Sequence, residues 1–416
     1  LFEEMNMNKP SVYIYGMPIS KLDSTIYGGL FGNATRSVGL ALNLAKIGHK
    51  VFLEVEDDFS LKLPSFELPE LFQLVTVSCR QNVLQDADIL LVSCTNLESI
   101  AKLFGRDPYI EHPCKVIASC FDLGQSLDLR RLQQNVKFIT FNNSAQKRMW
   151  DTRRCLIKSV EIPYGVNELD AVDDAIVDVR TPSALWMGAI RRPGMLERII
   201  RFSRVNSDCG VSVVTRTIVD SSIAPNVRGG RNNPYADFCE RDELSVFDDV
   251  VEELCGVETP SNIEFLGPME GLNHILQGQH MIGLDFSRFP SQTHDNTKIL
   301  DYLRSGMCVI CDKGTPSYRF VEETGHGVVV SPKFDDDEIR AAFEKCRTLA
   351  TYERRKEVAR YVREKYGWNA LAPKFSDLLC QSLELSAPSS LKRTQQRISS
   401  DLRRIRSAVK RRCGRK

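Results

Sequence analysis

The chain has 416 residues, 42% of them apolar and 26% charged, with thirteen cysteines. That size and balance fit a soluble protein of two ordinary domains and exclude a disordered or fibrous chain. No run of 18 apolar residues is present, which excludes a membrane-spanning helix, and the first ten residues, LFEEMNMNKP, lack the apolar core of a signal peptide. The cysteines show no metal-ligand spacing; Cys308 and Cys311 form a lone C-x-x-C inside an apolar run, read as two small buried residues. So many unpatterned thiols predict a reducing, cytoplasmic setting. The net charge of +1 hides a split: residues 391–416 carry +10, leaving −9 on the rest.

Ser11–Tyr15 (SVYIY) reads as a first strand, followed by a loop holding Gly28 and Gly29. Asn33–Ile47 has the periodicity of an amphipathic helix, Gly48 stops it, and Lys50–Val55 is the next strand. A strand, glycine loop, helix and strand in succession predict a parallel sheet with ligand at the strands' carboxyl ends. The glycine spacing is not G-x-G-x-x-G, which makes a nicotinamide enzyme the least favoured reading. Further strands are expected at 88–92, 115–118 and 137–141, and residues 168–180 are acidic and loop-like. A boundary near 167–182 then divides the chain into an amino-terminal unit, 1–170, and a carboxyl-terminal unit, 181–370. A crossover helix and linker follow over 371–390.

The second unit opens with the strand Ala184–Gly188, followed by a turn carrying Arg191 and Arg192, and a strand at 211–215. Residues 220–247 are long and polar and read as an insertion. Strands are expected at 262–267 and 281–285, around a helix at 270–278. The most informative stretch is 289–330. Thr293–Asn296 is a polar approach loop. Thr297–Ser305 predicts a short helix with Ile299, Leu300 and Leu303 buried and Gly306 as its stop; 307–311 predicts a buried strand; 317–324 a second helix; 328–330 another strand. The first N–H groups of a helix lack intrahelical partners, so its start attracts anions; Asn296 or Thr297 can cap it, and Lys298 adds a full charge. Asp301 lies one turn on, where carboxylates hold ribose hydroxyls. A capped surface helix with a solvated lysine and aspartate remains the alternative.

The order of these pieces resembles the family 4 (group 1) glycosyltransferases, which have the α/β GT-B fold: two Rossmann-like parallel-sheet domains facing across a cleft. Their nucleotide-sugar site carries two acids eight positions apart before a small-residue turn. The second falls on Asp301, with Ser305-Gly306-Met307-Cys308-Val309 in the place of the turn; the first falls on Thr293, a departure. Asp295-Asn-Thr-Lys-Ile-Leu-Asp-Tyr302 is similar to the Pro-x-Lys-Leu-x-Glu-Tyr variant. Lys46-Ile-Gly-His49-Lys-Val51 matches the end of the family's first unit, Val160-Glu-Ile-Pro-Tyr-Gly-Val166-Asn its domain crossing, and Tyr366-Gly-Trp368 its returning helix. Together the resemblance spans residues 11–380.

The resemblance implies diphosphate contacts from Gly28, Gly29, Arg191 or Arg192, Asn296, Thr297 and Lys298. It implies ribose binding by Asp301 and sugar-side positions at Thr293 and Asp295. Members often show His-Asp at the strand end near 121; Phe121 replaces the histidine, and Asp122 remains as the catalytic candidate. The expected activity is transfer of a hexose-type sugar from a nucleotide-diphosphate sugar to a glycan, lipid or other acceptor, retaining by resemblance. Neither metal nor cofactor is expected, since Lys298, the arginines and the helix start supply positive charge for the leaving diphosphate. Asp335-Asp-Asp337 reads as a solvated helix start. Because Thr293 and Phe121 replace polar family residues, a non-catalytic GT-B binding protein is the second reading, and a nucleotide-sugar epimerase the third. In the tail 391–416, Ile398, Leu402, Ile405 and Val409 fall at helical spacing among many basic residues. That pattern predicts either a solvated extension or a peripheral contact with an anionic membrane surface. No aromatic residue lies there to stack bases, which disfavours nucleic acid.

Overall fold

The computed structural model describes residues 9–19, 32–55, 68–79, 83, 86–94, 115–120, 136–151, 158–166, 176–188, 190, 193–215, 244–266, 280–286, 295 and 297–384. The expected site residues Gly28, Gly29, Asp122, Arg191, Arg192, Thr293 and Asn296, the expected helix at 270–278 and the tail lie outside these residues, as does Phe121.

Near-continuous apolar runs build two parallel sheets, as expected where both faces of a sheet are covered. The first contains β1 (Val12–Ile19), β2 (Val51–Val55), β3 (Phe72–Thr76), β4 (Ile89–Cys94), β5 (Lys115–Cys120), β6 (Val136–Phe141) and β7 (Lys158–Glu161), in the order β3-β2-β1-β4-β5-β6-β7. Helix α1 (Gly32–Lys46) packs on it through Val38, Leu42 and Ala45, and α2 (Ser144–Asp151) follows β6. The second sheet contains β8 (Ser183–Met187), β9 (Gly210–Val214), β10 (Ile263–Phe265), β11 (Ile282–Asp285), β12 (Cys308–Asp312) and β13 (Gly327–Val330), in the order β10-β9-β8-β11-β12-β13. Among the described residues, every strand pair in both sheets is parallel. Strand order reverses between β1 and β4 in one sheet and between β8 and β11 in the other. Those are the switch points where open α/β sheets form a crevice at their carboxyl ends.

The helices around the second sheet are α3 (Pro193–Val205), α4 (Leu244–Cys255), α5 (Thr297–Arg304), α6 (Tyr318–Thr324), α7 (Asp336–Leu349) and α8 (Tyr352–Tyr366). Two elements correct the sequence reading. Helix α4 begins inside the stretch read as an insertion, and its Phe247, Val250 and Val251 are buried in the core. Strand β3 was not expected; as an edge strand it exposes Gln73 and buries only Phe72 and Val75, too few apolar positions to mark a strand in sequence.

The last helix, α9 (Trp368–Glu384), leaves the second unit and joins the first. Trp368, Leu371, Phe375 and Leu379 are buried with α1 and the first sheet, and Ser376 Oγ meets His49 Nε2 at 2.8 Å. Where the last helix returns to the first unit, Val166 accepts the Trp368 N–H and donates to the Tyr366 carbonyl. Arg355, 1% exposed, fixes the other connection by donating to the carbonyls of Val177, Gly306 and His280.

Candidate functional site at the β8–β11 switch point

Strands β8 and β11 carry Trp186, Gly188 and Asp285 to the carboxyl edge of the second sheet. The backbone at Gly188 has φ +96°, a conformation open to glycine, and this directs the chain away at the end of β8. The space left by the missing side chain is taken by Lys298, whose Cε lies 3.0 Å from where a Cβ at Gly188 would be. Lys298 is the second residue of α5. Its ammonium lies 3.6 Å from Asp285 Oδ1 and 4.1 Å from the centre of the Trp186 ring, with its side chain 15% exposed. An aromatic face and a buried carboxylate therefore hold one cation at the start of a helix.

Thr297 is the first residue of α5, as the sequence indicates, and Ile299, Leu300 and Leu303 form its buried face. Asp301 does not pair with Lys298. Its carboxylate accepts from Arg304 Nε at 3.0 Å, one turn further on, and keeps about a quarter of its surface in contact with solvent. Burial raises the Asp301 pKa above the usual carboxylate value, and Arg304 opposes the rise.

Asp295 departs from its expected sugar-side role. Its side chain is 1% exposed, and both oxygens are taken by the fork of Arg319: Nη1 to Oδ1 at 2.7 Å and Nη2 to Oδ2 at 2.9 Å. Ser317 Oγ adds a bond of 3.3 Å. A carboxylate bound on both oxygens anchors the approach to α5, so these contacts describe a structural tie. The same guanidinium reaches the first unit, where Nη2 donates to the Asn142 carbonyl at 3.2 Å. Asn142 follows β6, and Asn143 Oδ1 caps α2 by accepting the Gln146 N–H at 2.9 Å. Arg319 therefore links the segment before α5 to the carboxyl edge of the first sheet.

Sequence reasoning missed Asp285, Trp186, Arg319 and Tyr302 as site neighbours. Trp186 and Asp285 were legible only as strand ends; the one signal was that both stand at the carboxyl ends of predicted strands. The acidic run is a helix start: Asp335 caps α7 by accepting the Glu338 N–H at 2.9 Å, and Asp336 pairs with Arg201 at 2.7 Å. Cys308 and Cys311 are both fully buried in β12. A depression of about 370 Å³ lies elsewhere, lined by Arg198, Arg201, Lys333 and Phe334 rather than by Lys298 or Asp285.

Neither a protein-family model nor a curated protein sequence matches this chain. Solved structures do. A glycosyltransferase from Rickettsia africae is similar with a TM-score of 0.61 at 13% identity, over 91% of this chain and 100% of that one. A sucrose-phosphate synthase from Thermosynechococcus elongatus gives 0.59 at 13% identity, over 90% and 100%. Anabaena HepE, solved in complex with UDP and glucose, gives 0.58 at 11% identity, over 89% and 100%. The fold is GT-B. In GT-B terms, the first sheet with α9 forms one Rossmann-like domain and the second sheet forms the other, with the Lys298 site on the second. Among the described residues, no helix is long and apolar enough to cross a membrane.

Proposed function

We propose that this chain is a glycosyltransferase that moves a hexose-type sugar from a nucleotide-diphosphate sugar to a glycan, lipid or other acceptor. The observation that carries the reading is the position of Lys298. It places a cation in the first turn of α5, at the switch-point edge of the GT-B domain, beside Asp285 and Trp186. An ammonium and the N–H groups of a helix start are suited to a diphosphate, and to the charge that grows on it as the sugar leaves. HepE, of the same fold, has been solved with UDP and with UDP-glucose, which supports a nucleotide sugar as donor. Asp301 is the candidate for the ribose hydroxyls, with Arg304 holding its carboxylate in place. Arg191, Arg192, Gly28, Gly29, Asn296 and, as catalytic candidate, Asp122 complete the site on the family resemblance. Retention of configuration and independence from metal belong to the same reading; fixed cations do the work that a divalent ion would do.

The test is calorimetric titration with UDP, GDP and ADP, then incubation with the matching nucleotide sugars, with and without EDTA. Diphosphate binding with turnover that EDTA leaves unchanged is the expected result. Loss of turnover in EDTA that manganese restores would overturn the metal-independent part, and absence of diphosphate binding would overturn the whole.

A second reading is a GT-B protein that binds the ligand without catalysis. It is favoured by Asp295, whose carboxylate is committed to Arg319, and by Thr293 and Phe121 in the places of polar family residues. Diphosphate binding without hydrolysis or transfer of any nucleotide sugar would select it. The basic tail 391–416 is proposed to bring the acceptor side toward an anionic membrane surface.

A further inference from the structure

Strands β8 and β11 pair at Ala184–Ile282 and Leu185–Gly283, and their pairing then stops. Their outer partnerships run on: β8 stays with β9 to Met187–Val214, and β11 with β12 to Asp285–Cys311. The two strands therefore part near their carboxyl ends, at the switch point, while the sheet on either side stays intact. The Tyr302 hydroxyl sits in the gap. It accepts the Met187 N–H at 2.9 Å and donates to the Leu284 carbonyl at 3.2 Å, so one O–H satisfies a backbone group on each strand. Its ring lies against Gly283, where a Cβ would come within 2.4 Å of ring atoms, so the close approach requires glycine there. Tyr302 is fully buried, and burial holds the phenol well above its ordinary pKa, which keeps the donor proton in place.

Lys298 lies one turn before Tyr302 on α5, and its ammonium occupies the mouth of this gap, between Gly188 at the end of β8 and Asp285 at the end of β11. We propose that Tyr302 is a positioning residue: its hydroxyl props β8 and β11 apart and holds open the slot from which Lys298 meets the donor diphosphate. Without the hydroxyl, the Met187 N–H and the Leu284 carbonyl are left to bond each other. That closure draws Gly188 and Asp285 together and displaces the ammonium. The proposal rests on the reading of Lys298 as the phosphate contact.

The experiment is a double-mutant cycle read by UDP, GDP and ADP titration of the wild type, Tyr302→Phe, Lys298→Ala and the double variant. Tyr302→Phe keeps the ring that fills the space against Gly283, and circular dichroism checks that each protein is folded. The expected loss of diphosphate affinity in Tyr302→Phe is about fivefold or more, because closure of the gap moves the Lys298 ammonium and weakens its charge-assisted contact with phosphate. In the Lys298→Ala background the same change is expected to cost less than about twofold, since a residue that acts through Lys298 has nothing left to position. Equal losses in both backgrounds, or no loss in the wild-type background, would overturn the proposal while leaving the function reading intact. Failure of the folded wild type to bind any of the three diphosphates would overturn both.

Discussion

Asp285 is 2% exposed, so part of what holds its carboxylate in the protein is the Lys298 ammonium 3.6 Å away. Lys298→Ala is therefore expected to act on folding as well as on binding, contrary to a reading of Lys298 as a surface cation. The lost phosphate contact weakens diphosphate affinity by roughly 10–150-fold. The charge left on Asp285 lowers stability by about 1–3 kcal/mol. A double variant, Lys298→Met with Asp285→Asn, removes both charges; it is expected to regain most of the stability and none of the affinity. Urea unfolding and UDP titration on the three proteins separate the effects, and recovery of affinity in the double variant would exclude Lys298 as a ligand group. A second residue sets an acid limit. His326 is fully buried with Nε2 3.3 Å from the Gly306 carbonyl, and burial, aided by Arg354 and Arg355, lowers its pKa to about 4. The unfolded chain binds a proton there near pH 6.5, so between pH 6.5 and 4 the unfolded state holds more protons. Stability accordingly falls as pH drops through that window, by up to about 3 kcal/mol from this group. Buried His49 shifts in the same direction. Thermal midpoints from pH 7 to pH 4 should fall less steeply in His326→Asn; an unchanged slope would assign the acid sensitivity elsewhere.

Helix α5 shows what was legible at the scale of one element. Its apolar spacing and Gly306 predicted Thr297–Ser305, and the helix runs Thr297–Arg304. Its charge pairing was not legible. Sequence places Lys298 and Asp301 one turn apart and invites a pair, yet folding brings Lys298 to Asp285 on a strand and Asp301 to Arg304. The tie before α5 joins Asp295 to Arg319, 24 positions on, and only the packing of α6 beside α5 creates it. Because Asp295 is buried and Arg319 is 29% exposed, Arg319→Ala is expected to cost about 2–4 kcal/mol, less than a fully buried pair. Arg319→Lys keeps the charge but loses the fork, and should recover less than half of that. Chemical denaturation measures both. A lysine variant as stable as the wild type would show that the two-point geometry adds nothing.

For the whole molecule, the parallel sheets were legible because strands covered on both faces must be apolar along their length. The crossing of α9 was legible in the Tyr366-Gly-Trp368 resemblance. What escaped were the two edge strands of the first sheet, β3, half exposed, and β7, with no fully buried residue, together with α3 and α4, the latter with its start hidden in a polar stretch. Charge along the chain remains a separate signal. The body carries −9 and residues 391–416 carry +10. An acidic body is repelled by an anionic membrane, so any attraction has to come from the tail, where each basic residue near such a surface contributes about 1 kcal/mol. Ile398, Leu402, Ile405 and Val409 give a narrow apolar stripe at helical spacing, too little to insert without electrostatic help. Binding should therefore require anionic lipid and weaken as salt shortens the Debye length from about 10 Å at 0.1 M to about 3 Å at 1 M. Co-sedimentation of the full chain and of a version ending at Ser390, with vesicles of phosphatidylcholine alone or mixed with phosphatidylserine, tests this. The full chain should pellet with the mixed vesicles at low salt and be released at high salt, and the shortened chain should stay in solution throughout. Equal pelleting of the two proteins, or no preference for the anionic vesicles, would leave the tail without a membrane role.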